Sequence, residues 1–321
     1  MPCAHDAEPA PEQAYPAQAI PPSDPNSAPS RRADLTTYQD LPPPVPQPVR
    51  RLALPGSVLT SRSFPPMSRQ HWGSPQDLGQ NFLVDPSVIV QFVDLLAHTS
   101  GPLVELGPGD GALTLPLART GRPLTAVELD PGRVNRLRRR VPTHVRVLHQ
   151  DLLRYRHPTR PHVVYGNVPF HLTTALLRRL LDNGHWTRAV LLVQWEVARR
   201  RAGVGGASLL TASWWPWYEF TLHRRVPARA FRPVPSVDGG LLGVDRRPTP
   251  LVGDREGYQH FVRRVFTGRG RDLPRVLAGT GRLPRADLGR WLAAQRLPAR
   301  ALPKDLGPRQ WAELWELAQR G

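Results

Sequence analysis

The sequence predicts an α/β fold in which a mostly parallel sheet is covered by helices on both faces and is followed by a small helical C-terminal domain. Between about residues 68 and 245, short apolar runs alternate with amphipathic stretches, the pattern of strands alternating with helices. The runs are continuously apolar, which is typical of parallel strands buried on both faces. After about residue 246, helical patterns follow one another.

Each element is predicted from its own pattern. Strands are predicted at the apolar runs 103–106, 124–128, 145–148, 162–165 and 189–193. Helices are predicted at the amphipathic stretches 86–98, 112–120, 132–140 and 173–182. A final strand pair is predicted within 218–225 and 239–245. The C-terminal helices are predicted at 255–266, 273–277, 285–295 and 308–318.

Three segments follow from these patterns. Residues 1–66 contain sixteen of the 38 prolines and few large apolar groups, so they bury too little surface to offset their ordering entropy and are predicted to be disordered. Met67 is the only methionine besides Met1, and an alternative is that translation starts there. Residues 67–245 form the predicted α/β domain, and residues 246–321 form the predicted helical domain.

The charge of the chain indicates a polyanionic partner. The formal net charge is +17, and clustered cations bind nucleic acid by releasing its condensed counterions. A single cysteine, Cys3, argues against a disulfide framework or a cysteine-rich zinc site, and no metal is expected. No apolar run has the length of a membrane span and no signal peptide is visible. We therefore expect a soluble, cytoplasmic, monomeric protein.

A glycine-rich turn predicts a cofactor site. The strand that ends at Glu105 runs into Gly107-Pro108-Gly109-Asp110-Gly111 and then into a helix. Glycine lets the backbone turn tightly and approach a ligand closely, and a helix N-terminus favours an anionic group. Glu128, at the end of the next strand, is placed to bind both ribose hydroxyls of a cofactor. Enzymes that use NAD and enzymes that use S-adenosylmethionine (SAM) share these features.

Two carboxylates favour SAM over NAD. Asp110 lies within the turn, where it would repel a pyrophosphate but could bind the ammonium group of methionine. Asp151 follows the third strand, where it can accept a hydrogen bond from the adenine amine of the cofactor. For Glu128 and Asp151, ordinary strand-end or capping roles are the alternative, and the ordered series of acids argues against it.

The tetrapeptide Asn167-Val168-Pro169-Phe170 predicts methyl transfer to a base nitrogen. An adenine amine is a poor nucleophile because its lone pair is delocalised, and two acceptors aimed at its N–H bonds favour a pyramidal nitrogen. The Asn167 amide oxygen and the Val168 carbonyl can be those acceptors, and Pro169 restricts the residue before it to extended conformations. Phe170 offers a face for a flipped base, worth roughly 1–3 kcal/mol. A plain turn is the alternative interpretation.

These motifs resemble the rRNA adenine N6-methyltransferases, the family of the Erm macrolide-resistance enzymes and the KsgA-type dimethylases. The resemblance covers about residues 71–245. It rests on the motifs Leu78–Asp85, Val104–Gly111, Glu128–Asp130, Gln150–Leu153, Gly166–Phe170, Gln194–Arg200 and Phe231–Asp238. It implies a Rossmann-like, SAM-dependent methyltransferase fold.

The resemblance also implies roles for individual residues. Those closing over the methionine part of SAM are Gln80, Asn81 and Leu83. Gly107 and Gly109 form the turn, Glu128 binds the ribose, and Asp151 with Leu152 holds the cofactor adenine. Asn167, which also borders the cofactor, leads the target-base segment, and Phe231-x-Pro233-x-Pro235 forms a rigid segment near that pocket.

His171 and Gln194-Trp195-Glu196 favour the Erm group, which methylates one adenine of 23S rRNA and blocks macrolide, lincosamide and streptogramin B drugs. KsgA-type enzymes usually have Asn and Gln-Lys-Glu there, and a KsgA-type 16S rRNA dimethyltransferase is the alternative. Two departures from the family are Phe170, where Tyr is more frequent, and the prolonged N-terminal arm. A non-catalytic RNA-binding relative is the rival class, which degraded cofactor acids or a broken tetrapeptide would support.

Arginine clusters predict contacts with RNA phosphates. RNA helices are recognised largely by shape and backbone. The predicted RNA-binding residues are Arg133, Arg136, Arg138, Arg139, Arg140, Arg199 and Arg200. A solvated helix face is the alternative for each of them.

Overall fold

A computed structural model describes residues 81–320 of the chain, except residues 183, 282 and 299. These described residues belong to one compact unit. Gln80, the segment 1–66 and the candidate start at Met67 lie outside the described residues.

The described strands confirm the predicted sheet. They are β1 (Phe82–Leu83), β2 (Leu103–Leu106), β3 (Leu124–Glu128), β4 (Val145–His149), β5 (His162–Asn167), β6 (Trp186–Gln194), β7 (Tyr218–Val226), β8 (Phe231–Arg232) and β9 (Gly239–Arg246). Seven of them form a sheet in the order β4-β3-β2-β5-β6-β9-β7, in which β4, β3, β2, β5 and β6 are parallel and β9 is antiparallel to both its neighbours. Strands β1 and β8 form a separate antiparallel pair, which the sequence did not predict.

The order of the strands creates a crevice. From β2 the chain moves outward through β3 to β4, and it then returns to the other side of β2 as β5. In open α/β sheets, ligands bind where the strand order reverses, beyond the carboxyl ends of the strands. The glycine turn follows β2 and the tetrapeptide begins at the end of β5, so both predicted site segments meet at this point.

Helices cover both faces of the sheet. They are α1 (Pro86–Ala97), α2 (Thr114–Ala118), α3 (Pro131–Arg138), α4 (Thr173–Asp182), α5 (Trp195–Arg201), α6 (Leu209–Trp214), α7 (Arg255–Thr267), α8 (Leu273–Ala278), α9 (Arg285–Ala294) and α10 (Pro308–Arg320). Each face of the sheet packs on its own apolar core, and neighbouring residues of a strand point to different cores. Val163 packs with α1, α2 and α3, whereas Val164 packs with α4 and the helices that follow. This explains why the strands are continuously apolar. Among the described residues, no helix is long and apolar enough to cross a membrane.

The helices predicted after residue 246 are present, and their core is continuous with that of the sheet. The Tyr258 hydroxyl of α7 donates to the Ala212 carbonyl of α6 at 2.8 Å. Phe266 stacks on Trp311 at 5.6 Å between ring centroids, and both belong to the apolar cluster that covers β6. A separate domain beginning at residue 246 therefore stays a prediction.

Candidate active site

One cavity lies at the carboxyl ends of β2 and β5, and both predicted site segments line it. The predicted residues in its wall are Asn81, Leu83, Gly107, Gly109, Asp110, Glu128, Asp151, Leu152, Asn167, Val168, Pro169 and Phe170. The sequence places these residues up to 89 positions apart, and the strand order brings them together. Phe82, Glu105 and His171 also line the cavity and were not among the predicted cofactor or target-base residues.

The glycine turn depends on backbone angles that favour glycine. Gly107, Gly109 and Gly111 have φ values of +74°, +55° and +89°, in the left-handed region that side chains disfavour. A Cβ at Gly109 would also lie 3.0 Å from two ring carbons of Phe82. The turn is therefore specified both by its conformation and by the ring that lies on it.

Gly166 has a role that the sequence motif did not reveal. A Cβ at this position in β5 would lie 2.3 Å from the Leu106 carbonyl oxygen of β2, so any other residue would push the two strands apart. Because β2 leads into the glycine turn and β5 into the tetrapeptide, this close approach sets the distance between the two site segments.

Glu128 is fixed in place by backbone donors. Its side chain is buried, with 3% of the residue exposed. The Gly109 N–H donates to Oε2 at 3.0 Å, and the N–H groups of Leu129 and Asp130 donate to Oε1 at 2.8 and 2.9 Å. One carboxylate thus joins the glycine turn to the end of β3 and presents its remaining lone pairs to the cavity.

Asp151 and Leu152 form the wall beyond β4. Asp151 Oδ1 accepts a hydrogen bond from the Leu153 N–H at 2.8 Å, which orients the carboxylate. The carboxylate can still accept from a donor in the cavity. Leu152 is 8% exposed and supplies an apolar surface beside it, which suits a purine ring with an exocyclic amine.

The amide of Asn167 has one orientation that its surroundings allow. Its Nδ2 donates to the Asn81 carbonyl at 2.7 Å. A carbonyl accepts and does not donate, so the amide nitrogen must face Asn81 and Oδ1 must be the free acceptor. Asn167 lines the cavity, and this oxygen can accept from an amine placed there.

The rest of the tetrapeptide is anchored on neighbouring strands. The Val168 N–H donates to the Leu192 carbonyl of β6 at 3.1 Å, and Pro169 has φ −51° and ψ 125°. Phe170 meets Phe231 edge to face, with ring centroids 6.0 Å apart. Phe231 is fully buried and pairs with Leu83 through β8 and β1. Of the two rings, Phe170 lines the cavity and the buried Phe231 packs against it.

Some of the predicted RNA-binding arginines are bonded to other groups of the protein, and others are not. Arg133 is buried, and its Nη1 lies 2.7 Å from Asp110 Oδ1. The prediction that it contacts an RNA phosphate is therefore wrong. Arg138 donates twice to the Val147 carbonyl, and Arg140 donates to the Asp110 carbonyl. The exposed Arg139 and Arg200 form no ion pair among the described residues.

Two other predicted residues make longer ion-pair contacts at the surface. Arg136 Nη2 lies 3.6 Å from Asp110 Oδ1, and the Arg136 side chain is 54% exposed. Arg199 Nη2 lies 3.2 Å from Glu196 Oε2, one turn earlier on α5. Exposed pairs of this kind hold a side chain weakly, so both remain candidates for phosphate contacts.

Glu105 is a buried acid at the end of β2. It is 1% exposed, and burial raises the pKa of its carboxyl group from the ordinary 4.5 to about 7. The Tyr165 hydroxyl donates to Oε2 at 2.9 Å and opposes this rise in pKa. The sequence offered one signal for this residue, an acid within an otherwise apolar buried strand.

The raised pKa predicts a stability that falls with pH. The folded protein binds the Glu105 proton more tightly than the unfolded chain, so this contribution is complete below pH 4.5 and is lost as pH rises through about 7. The loss is on the order of 3 kcal/mol at pH 8. We expect Glu105→Gln to raise the melting temperature at pH 8 more than at pH 5. Thermal unfolding of both proteins across this range is the measurement, and an equal shift at both pH values would contradict it.

Comparison with known proteins identifies the family. The model of the ribosomal RNA adenine dimethylase family matches residues 74–288, more than half of the chain. The mycinamicin-resistance protein MyrB of Micromonospora griseorubida is 51% identical over 248 residues, which cover 76% of this chain and 79% of that protein. The chain belongs to the ribosomal RNA adenine dimethylase family.

Other relatives agree with this membership. An rRNA adenine N-6-methyltransferase of Corynebacterium diphtheriae is 50% identical over 63% of this chain and 81% of its own length. The crystal structure of the 23S rRNA methyltransferase ErmE superposes with a TM-score of 0.69 at 31% identity, covering 74% of this chain and all of that one. The Rossmann-like methyltransferase fold and the enzyme class expected from the motifs are confirmed.

Membership in this family implies SAM as the methyl donor, and the residues present fit it. The glycine turn gives a close backbone approach, the Glu128 carboxylate is held toward the cavity, and Asp151 with Leu152 supplies an acceptor beside an apolar surface. The protein is an rRNA adenine N6-methyltransferase by family.

Proposed function

We propose that the protein methylates N6 of an adenine in 23S rRNA and thereby protects the ribosome from macrolide, lincosamide and streptogramin B antibiotics. The observation that carries the chemistry is the fixed Asn167 amide, whose oxygen is the free acceptor in the cavity that the glycine turn also lines. The choice of 23S rRNA is supported by the similarity to MyrB and to ErmE.

The cofactor is held by the first half of the site. We assign the methionine end to Asn81, Leu83, Gly107 and Gly109, and the ribose hydroxyls to Glu128. The cofactor adenine is assigned to Asp151 and Leu152. SAM supplies an electrophilic methyl group on a positively charged sulfur.

The target amine is positioned by the second half of the site. Asn167 Oδ1 and the Val168 carbonyl accept its two N–H bonds, which frees the nitrogen lone pair. Phe170, which lines the cavity, supplies the aromatic surface for the flipped base, worth roughly 1–3 kcal/mol for a stacked base, and the buried Phe231 packs edge to face against it. That lone pair would be the nucleophile toward the methyl group that SAM supplies when bound, and the electron pair of the methyl–sulfur bond would leave on sulfur. The extra N6 proton passes to solvent, and catalysis is mainly positioning.

Mapping of the methylated nucleotide tests this proposal. Purified 23S and 16S rRNA are incubated with labelled SAM, and the modified position is located by primer extension. We expect label in 23S rRNA at a single adenine. Label confined to 16S rRNA would favour the KsgA-type alternative, and no label in either RNA would favour a non-catalytic RNA-binding relative.

The exposed arginines are proposed to contact RNA phosphates. Arg139 and Arg200 are exposed, and each phosphate contact contributes close to one counterion to the salt dependence of binding. We expect Arg139→Ala and Arg200→Ala each to reduce the slope of log affinity against log salt by about 1. Arg119→Ala is the comparison, because that arginine is exposed at the end of α2 and is not among the predicted RNA contacts. Unchanged slopes for the first two variants would place them outside the interface.

A further inference from the structure

Arg133 occupies an unusual place for a cation on a helix surface. It lies in the first turn of α3, yet its side chain is only 8% exposed. Its guanidinium carbon lies 4.1 Å from the centroid of the Phe82 ring. Nη1 is 2.7 Å from Asp110 Oδ1, and Nε is 3.7 Å from Asp130 Oδ2. One buried cation therefore joins the glycine turn, the start of α3 and the segment that contains Phe82.

The Phe82 ring contacts both Arg133 and the glycine turn. The Arg133 guanidinium lies over the ring, and a Cβ at Gly109 would lie 3.0 Å from two of its carbons. Phe82 lines the cavity, whereas Arg133 does not. Arg133 therefore contacts the cavity wall through Phe82 and Asp110, which do line it.

The segment from Asn81 to Val84 connects both halves of the site. The Asn81 carbonyl accepts the Asn167 amide, and β1 pairs with β8, which carries Phe231. The Val84 N–H donates to the Ala230 carbonyl at 2.9 Å. Whatever fixes Phe82 therefore also fixes the orientation of the target-base acceptor.

We infer that Arg133 is a positioning residue that clamps the Asn81–Val84 segment over the cofactor cavity. This inference rests on the proposed function. Asp110 then acts by holding Arg133, in addition to or in place of a direct contact with the cofactor. The planar guanidinium can stack on Phe82 while it pairs with a carboxylate, which a lysine ammonium cannot reproduce in full.

Binding of S-adenosylhomocysteine to the full chain, measured by calorimetry, tests the inference without the RNA reaction. A clamp of one cation–aromatic contact and one ion pair is worth a factor of about ten. We expect Arg133→Ala to weaken binding by that factor and Arg133→Lys to weaken it less. Arg119→Ala is the control, since it removes the same charge from an exposed position at the C-terminal end of α2, and it should leave this affinity within about twofold.

Two further measurements separate a clamp from general support of the fold. The amide of Val84 should exchange hydrogen faster in Arg133→Ala, while amides in β6 keep wild-type protection. At saturating RNA, the KM for SAM should rise more than kcat falls. If Arg133→Ala lowers the melting temperature too far for binding studies, Arg133→Lys and Arg133→Met carry the same measurements.

A double-mutant cycle assigns the role of Asp110. If Asp110 acts through Arg133, Asp110→Ala should weaken binding in the wild type but add little in Arg133→Ala. If the effects of the two substitutions on affinity add in full, Asp110 contacts the cofactor itself and does not act through Arg133. Wild-type affinity and wild-type exchange in Arg133→Ala would overturn the clamp. Failure of the unmodified protein to bind the ligand would instead refute the proposed function.

Discussion

Asn167→Ala is expected to reduce methyl transfer by at least a hundredfold while the affinity for SAM stays within about threefold, as expected when a preorganised acceptor in a transition state is removed. In the proposed mechanism the side chain gives the amine one of its two acceptors, and its own Nδ2 donates to the Asn81 carbonyl. Single-turnover methylation at saturating RNA and SAM measures the chemical step, and calorimetry measures cofactor affinity.

Asn135→Ala is the control for this experiment, because Asn135 is exposed on α3 and loses the same atoms. Its turnover should match that of the unmodified protein. Undiminished turnover in Asn167→Ala would refute the proposed amine acceptor. A loss confined to cofactor affinity would assign Asn167 to the cofactor side of the cavity alone.

Glu128→Gln is expected to weaken cofactor binding about tenfold to a hundredfold, the range for leaving a buried donor unsatisfied. The change keeps the size and shape of the side chain. The carboxylate accepts from Gly109 on one oxygen and from Leu129 and Asp130 on the other. In either orientation, the NH2 group of glutamine faces at least one N–H, so the turn must move.

Calorimetry with S-adenosylhomocysteine measures this loss. Glu219→Gln is the matched control, because its carboxylate is 62% exposed on β7 and can be replaced without burying a polar group. Wild-type affinity in Glu128→Gln would show that the three backbone bonds do not maintain the turn.

The local patterns predicted most of the secondary structure. The apolar runs at 103–106 and 124–128 are β2 and β3 with the same bounds, and the stretch 173–182 is α4. These elements are long or strongly patterned, so their own residues specify them. The strands β1 and β8 are two residues long, which is too short for a hydrophobic period in the sequence. They are defined only by pairing with each other.

The sequence by itself determined which segments form the wall of the site, namely the glycine turn, the strand-end acids and the tetrapeptide, and it predicted the chemistry proposed for them. Those properties depend on residue type and short spacing, since φ above zero favours glycine and a proline restricts its neighbour. Only the tertiary structure decided what each side chain contacts. Arg133 was predicted to face RNA, and the placement of Phe82 and Asp110 buries it instead. Such contacts join residues 23 to 51 positions apart, and they depend on packing that no local pattern encodes.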